Sequence, residues 1–450
     1  MPDWILEANG GFIVLRFGKE RFKLRIKGLN TLKQVWILNH YASDPGSAGS
    51  TRHYDLSEKL LSHGWQATII AGSVELNSGK QRLNKKECFC LEMHGKVPFL
   101  WVRTSIYIGN GVGRMMNMLF YTYRTLLPRY TRQLPPPDLV VGSSVHPFAA
   151  LAGALLAKKH NVPFVFEVRD LWPQTLVDIG RFKAGSVSVR LLRVLEKWLY
   201  RKATRIVTLL PKAVDYIVPL GISKKKIVWI PNGVSMATRS VTEDRSKKYK
   251  GQDAFVLMYF GAHGLANGLD NVIRAMKVLE EKQLAESRII LRLIGNGPLK
   301  PALKQMMNDL GLKNVFFEDA IKKEEIPVLA AEADAFIFNL IEVPVFKFGI
   351  SSNKLFDYMA AAKPVLFCCD SANNPIEEAG AGITIPPGDP GGLAQKIVEL
   401  YGMSNEERRI MGEAGRSYVC DNHEISKLSK RLGMTFDDAV ASYSTRKDNV

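Results

Sequence analysis

The apolar residues of this 450-residue chain fall into two successive series, in which short strand-like runs alternate with stretches of helical period. Such alternation admits few folds. A strand rejoins its neighbour in parallel only through a crossover of a dozen or more residues, usually a helix that covers one face of the sheet. The first series has runs at 34–41, 67–71, 139–142, 164–168 and 205–210, with helical stretches at 50–63, 148–160 and 186–203. The second has runs at 255–261, 288–295, 314–319, 335–341, 364–369 and 382–387, with helices near 268–282, 299–310, 326–333 and 351–362. A polar, charged stretch (TEDRSKKYKGQD) separates the two. The pattern predicts an α/β chain of two doubly wound, Rossmann-like domains, residues 34–225 and 254–403, joined by a linker at 226–253 and followed by helices over 404–450. Ligands of such sheets bind beyond the carboxyl ends of the strands, here in the cleft between the domains.

Residues 1–33 stand outside this pattern. Within them 12–27 reads as a β-hairpin turning at Gly18-Lys19, with Arg21, Lys23, Arg25 and Lys27 on one face and Phe22, Leu24 and Ile26 on the other. It is either an edge cover with a solvated basic face or a surface that meets anionic lipid. The chain starts without a basic segment ahead of a long apolar stretch, so no signal peptide is expected. No apolar run approaches the ~18 residues that span a bilayer.

Composition bounds the partners. Apolar residues make up 46%, which excludes a mainly disordered chain, and the net charge is +17. That excess points to nucleic acid, a phosphorylated ligand or an acidic membrane, unless it is only a solvated basic surface. Cys88, Cys90, Cys368, Cys369 and Cys420 are odd in number and spaced as C-x-C and CC. Neither a disulfide framework nor a zinc knuckle has that pattern. We expect reduced, mostly core thiols in a cytosolic protein.

Four segments are suited to chemistry. Pro45-Gly46-Ser47-Ala48-Gly49-Ser50 joins the first strand to the first helix. Its glycines let backbone approach a ligand, and the helix amino end favours phosphate, although a plain tight loop looks the same. At the end of a buried strand, Glu167, Arg169 and Asp170 are costly to place unless they are paired or functional. Gly295-Asn296-Gly297 lets amides face a flat ring or a phosphate. Finally, Phe346 to Val365 contains the loop Gly349-Ile350-Ser351-Ser352-Asn353 and then a helix whose first turn carries Lys354. A lysine there opposes the helix dipole, so with the Ser351 and Ser352 amides it suggests a pyrophosphate cradle. Asp357, one turn on, is placed to accept sugar or ribose hydroxyls.

In this order the motifs NHYASDPGSAGSTRHYDLSEKLLSHG, FEVRDLWPQTLVDIG, WIPNGV, MYFGAHGLANGLDNVIRAM, LIGNGP and FGISSNKLFDYMAAAKPVL resemble the family 4 retaining glycosyltransferases of the GT-B fold. Within them the chain is most similar to the WbuB-like branch of O-antigen and capsule assembly. The resemblance covers about 34–420. It implies transfer of a sugar, usually from a UDP-sugar, without a metal or other cofactor. It implies that Gly295, Asn296 and Gly297 approach the base, that Lys354 and Ser351, Ser352 and Asn353 hold the diphosphate, and that Asp357 holds the ribose. Gly49 would reach the diphosphate from across the cleft. Glu167, Arg169, Asp170 and Lys354 are the expected catalytic residues, with Asp170 or Glu167 orienting the acceptor. No covalent nucleophile is assigned.

The chain departs from that family in two places. The first Glu of the E-x7-E motif would fall at Gly349, with Glu342 as a candidate replacement. The Arg and Lys usual after the first strand of the nucleotide domain are absent from GAHGLANG (261–268). Lys354, Lys347 and His263 are the candidates to compensate. The acceptor's place is suggested by a stretch without acids between Glu92 and Asp138, in which Arg114, Arg124 and Arg129 are interleaved with Met118, Phe120 and other apolar residues. That composition suits a helix at the anionic inner face of the plasma membrane and an acceptor linked to polyprenyl diphosphate. A core helix has similar composition. No nucleic-acid module is recognisable. The leading expectation is transfer of an N-acetylated amino sugar to a lipid-linked saccharide by a peripherally bound enzyme. The alternatives are a non-catalytic GT-B-like binding subunit and a nucleotide-sugar epimerase.

Overall fold

The computed structural model describes residues 32–447 except 48, 76–78, 108, 110, 237–253 and 283–288, together with the backbone of 5–9, 12–17 and 20–25. β1 (Ile5–Asn9), β2 (Phe12–Phe17) and β3 (Glu20–Arg25) form an antiparallel three-stranded sheet. The expected hairpin is therefore β2–β3, with one strand more than the alternation predicted. Its turn at Gly18-Lys19, with Ile26 and Lys27, lies outside the described residues.

The first domain follows as β4 (Lys33–Leu38), α1 (Arg52–Leu60), β5 (Trp65–Gly72), β6 (Phe89–His94), β7 (Val97–Val102), α2 (Val112–Leu126), α3 (Pro128–Thr131), β8 (Leu139–Ser143), α4 (Pro147–His160), β9 (Phe164–Val168), α5 (Gln174–Asp178), α6 (Val187–Lys202), β10 (Arg205–Thr208), α7 (Ala213–Ile217) and β11 (Ile227–Trp229). The eight strands run in the order β11-β10-β9-β8-β4-β5-β7-β6, parallel except for the β6–β7 hairpin. Strand alternation divides the core: Trp36 and Leu38 enter one cluster, beneath α4 and α6, while Val35 and Ile37 enter another, beneath α1. β11 pairs with β10, so the first residues of the expected linker belong to this sheet.

The second domain comprises β12 (Phe255–Phe260), α8 (Leu269–Glu281), β13 (Ile289–Ile294), α9 (Lys300–Asp309), β14 (Val315–Glu318), α10 (Ile326–Ala331), β15 (Ala335–Asn339), α11 (Asn353–Ala360), β16 (Val365–Cys368), α12 (Pro375–Ala379), β17 (Gly382–Ile385), α13 (Pro390–Gly402) and α14 (Asn405–Asn422). Its six strands are all parallel, in the order β14-β13-β12-β15-β16-β17. The strands read as near-continuous apolar runs because both faces are covered. The last helix, α15 (Ile425–Lys447), returns to the first domain, where Ile425, Leu428, Leu432 and Phe436 pack with Leu56 and Leu60 of α1. Cys368 and Cys369 are core thiols as expected, but Cys88 is exposed and Cys90 and Cys420 are half-buried. Among the described residues no helix is long and apolar enough to cross a membrane.

Candidate functional site

The carboxyl ends of the two sheets face each other across a cleft of about 1080 Å³. Its first-domain wall is built by the loop after β4 and the start of α1. Asp44 accepts hydrogen bonds from the Gly46 amide (2.9 Å) and the Ser47 hydroxyl (2.8 Å) and pairs with Arg82, which fixes the loop that delivers Gly49 and Ser50 to the cleft. Burial would push the Asp44 carboxyl up, but the Ser47 bond and the Arg82 charge hold it below its usual range. At the start of α1, Thr51 donates to Asp55 (2.6 Å), and Arg52 and Asp55 line the cleft.

The second-domain wall has three parts. The loop after β13 presents Gly295, Asn296 and Gly297. Gly295 has φ +145°, and a Cβ there would lie 1.9 Å from the Gly261 carbonyl, so glycine is required where two backbones close on each other. Lys300 ties this loop down, donating to the Gly295 carbonyl (2.9 Å), Asn296 Oδ1 (2.9 Å) and Asp319 (2.9 Å). The second part is the amino end of α11, where Ser352, Asn353 and Lys354 line the cleft. The third is the ion pair of Lys323 with Asp357, at 2.5 and 2.7 Å to the two carboxylate oxygens.

Lys354 is set in a ring of neutral groups. Its Nζ donates to the Tyr259 hydroxyl (3.2 Å) and to Asn267 Oδ1, and lies 4.6 Å from the Tyr259 ring centre and 5.0 Å from that of Phe338. Among the described residues no carboxylate pairs with it. Burial pushes its pKa down to about 7. The arrangement is a cation held at a helix amino end without an internal anion, which suits a phosphate ligand. Across the cleft, Asn353 donates to the Ser50 hydroxyl (2.8 Å), so the Gly49–Ser50 loop and the amino end of α11 already touch.

Of the expected site residues, the structure gathers Gly49, Gly295, Asn296, Gly297, Ser352, Asn353, Lys354 and Asp357 around one cleft. Others lie elsewhere. Ser351 is bonded to Asn232, accepting from its amide at its hydroxyl (2.8 Å) and from its side chain at its carbonyl (2.5 Å). Lys347 is exposed on the surface over Phe348. His263 is buried behind the Gly295 loop with neither ring nitrogen bonded among the described residues. Burial and the neighbouring Lys300 and Lys354 push its pKa down to about 4, so at neutral pH it supplies no cation. Glu167 is buried below the cleft and meets Arg52 (2.9 Å), His53 (2.7 Å) and Ser143 (2.7 Å), which leaves it no room to touch a ligand. Arg169 is half-buried and Asp170 exposed at the end of β9, outside the residues that line the cleft. Met118 corrects the surface assignment. It packs inward with Tyr121 and Thr122, whereas Phe120 and Arg129 are exposed and Arg114 and Arg124 half-buried.

Sequence reasoning missed Lys323, Lys300, Asn267 and Arg52. Lys323 and Lys300 carried no motif, and their roles come from loops brought together by the sheet. Gly349 also gains a physical reason. Its φ is +100°, and a Cβ would lie 2.5 Å from Pro211 and 2.8 Å from Asn373 Oδ1. A Glu cannot be seated there without moving the first domain. Glu342 is exposed and outside the cleft lining. Gly349→Glu is therefore expected to lower the melting temperature, which differential scanning fluorimetry would check.

Two Rossmann-like domains that meet across a cleft, with a glycine loop on one wall and a lysine at a helix amino end on the other, are the GT-B architecture. Residues 48–233 match the model of the Glycosyl transferase 4-like domain, and 254–403 that of Glycosyl transferases group 1. The chain belongs to the family 4 glycosyltransferases. It is 26% identical over 305 residues to the probable glycosyltransferase WbjE of Pseudomonas aeruginosa, covering 65% of this chain and 73% of that one. It is 22% identical over 230 residues to the putative colanic acid biosynthesis glycosyl transferase WcaI of Escherichia coli, covering 49% and 55%. The structure of HepE from Anabaena in complex with UDP and glucose superposes with a TM-score of 0.62 at 16% identity, covering 90% of this chain and 99% of that one.

Proposed function

We propose that this glycosyltransferase moves a sugar, an N-acetylated amino sugar being the first to test, from UDP to a saccharide linked to polyprenyl diphosphate, with retention and without a metal, at the inner face of the plasma membrane. The observation that carries the donor half is Lys354, a cation without an internal anion at the amino end of α11, facing the Gly295–Gly297 loop. HepE was crystallised with UDP, and the names of WbjE and WcaI place those relatives among glycosyltransferases, the second in colanic acid synthesis. They support a UDP-sugar and surface-polysaccharide assembly here.

The base would lie against the Gly295 loop, the ribose near Asp357 and the diphosphate between Lys354, the first amides of α11 and the Gly49–Ser50 loop. As the anomeric bond breaks, negative charge grows on the leaving diphosphate, and the preset ammonium and amides stabilise it. A diphosphate oxygen on the same face takes the proton of the incoming hydroxyl. Arg114, which stands over Tyr41 at 5.2 Å and also lines the cleft, joins the donor site to the exposed side of α2. The test is release of UDP from a panel of UDP-sugars with a chelator present, with and without lipid-linked acceptor, and the anomeric configuration of the product by NMR. Acceptor-dependent release with retained configuration is expected. UDP binding without turnover for any donor would favour a non-catalytic subunit.

A further inference from the structure

α2 is turned the opposite way from an ordinary amphipathic helix. Its inward face holds Asn117, Thr122 and Thr125 beside Met118 and Tyr121, while Met115, Met116, Leu119, Phe120 and Tyr123 are exposed. α6 buries Val189, Leu192, Leu199 and Tyr200 together with Glu196, and carries a second apolar stripe outward, Val187 (71%), Leu191 (65%) and Val194 (69%), which it shares with Arg190 and Arg201. α4 lies between them, packed against both, and shows Leu155, Lys158 and Lys159 outward. The three helices form one layer over the same core cluster of the first sheet.

The charge of this layer has one sign. α2 and α4 contain no acidic residue, and the single one in α6, Glu196, is 4% exposed and accepts hydrogen bonds from Tyr200 and Tyr216 (both 3.1 Å). Burial pushes its carboxyl up to about 8, so it is mostly protonated at neutral pH. Arg181 and Lys183 in the loop before α6, then Arg190, Arg193, Arg201 and Lys202, are exposed. Solvent-facing apolar side chains set among cations alone complement an anionic, apolar-cored surface. A second copy of this face would bring like charges together, which argues against a dimer through it.

We propose that α2, α4 and α6 together form a docking plane for an anionic lipid bilayer. The proposal rests on the membrane placement above and adds α4 and α6 to it. A plane of three helices fixes the tilt of the first domain, where a single helix would leave the chain free to roll. Because Arg114 of α2 also lines the cleft, that tilt holds the cleft mouth at the bilayer surface, where a lipid-linked acceptor would enter.

The experiment is flotation of the full chain with vesicles of phosphatidylcholine alone or mixed with phosphatidylglycerol, for wild type, for Leu191→Glu with Val194→Glu on α6, and for Leu119→Glu on α2. All three positions are exposed, so melting temperature and UDP binding should stay unchanged. Each variant is expected to lose on the order of tenfold in partition to the mixed vesicles, and salt should weaken wild-type binding. If the α6 variant floats like wild type while Leu119→Glu does not, the three-helix plane is overturned and the α2 docking stands. If wild type floats with neither vesicle, both fall. If light scattering shows a dimer that the α6 substitutions dissociate, the face pairs copies and the proposal is overturned.

Discussion

Lys354→Ala is expected to cut acceptor-dependent UDP release by about 10²–10³-fold, the usual cost of removing one preset group that stabilises growing negative charge. The size follows from the surroundings: the ammonium is held by Tyr259 and Asn267, neutral groups that orient it without cancelling it. The loop 261–268 brings no lysine or arginine, His263 is neutral and Lys347 is exposed outside the cleft lining, so none of these takes over the charge. Lys323 is already bonded to both oxygens of Asp357. A pH dependence accompanies the prediction. With its pKa pushed down to about 7 by burial, the free lysine loses its proton as pH rises through neutrality. A bound diphosphate favours the charged form, so UDP affinity should be greatest below pH 7. It should fall by up to about tenfold per unit above pH 7, until the pKa of the complex is passed. Calorimetric titration with UDP between pH 6 and 9 measures this, and a flat profile would remove Lys354 from the phosphate site. Lys354→Met serves as the folding control. It removes an unpaired, poorly solvated charge and should melt no lower than wild type.

The alternation of apolar runs with helical stretches was enough to place both sheets, because parallel strands covered on both faces leave unbroken apolar segments such as FVLMYF at β12 and VLFC at β16. The β6–β7 hairpin was not legible. Glu92 and His94 break the apolar run of β6, and Pro98 sits within the run of its neighbour β7, VPFLWV, which argues against a strand there. The return of α15 to the first domain was not legible either, since a helix's apolar stripe does not say which domain it will cover. The cleft-lining residues Gly49, Gly295, Gly297 and Lys354 were legible through local sequence, because a glycine turn followed by a helix start is a contiguous device. Glu167 could not be assigned that way. A charged triplet at a strand end reads the same whether its carboxylate faces ligand or faces inward. Only the distant Arg52, His53 and Ser143 decide it. Lys323 and Lys300 acquire their roles through loops far apart in sequence, from Asp357 and from the Gly295 loop.

Glu167→Ala is expected to destabilise the first domain by about 3–5 kcal/mol, since it leaves a buried guanidinium without its anion. Arg52 is 2% exposed and has few other ways to satisfy its charge. Burial would push the Glu167 carboxyl up, but His53 and Arg52 outweigh it and hold the group well below the usual range. The hydrogen bonds show how. Asn39 donates to His53 Nδ1 (2.8 Å), so the other ring nitrogen carries the proton that His53 donates to Glu167, and Arg52 supplies the charge. A depressed carboxyl pKa stabilises the fold above the unfolded value, near 4.3 for a Glu, and that contribution is lost as pH falls through the folded value. The gap between wild type and Glu167→Gln in urea denaturation should therefore be full at pH 7 and shrink below pH 4. The loss should also reach the donor site. Arg52 donates to the carbonyls of Pro231 (2.5 Å) and Ile230 (2.9 Å), and Asn232 in turn holds Ser351 beside the phosphate-facing turn of α11. Thus Glu167 acts on the cleft through position, with Arg52 as the intermediary between the domains. Its replacement should raise the KM for the UDP-sugar as well as lower stability. A variant that is destabilised but keeps the wild-type KM would confine Glu167 to the first domain's core.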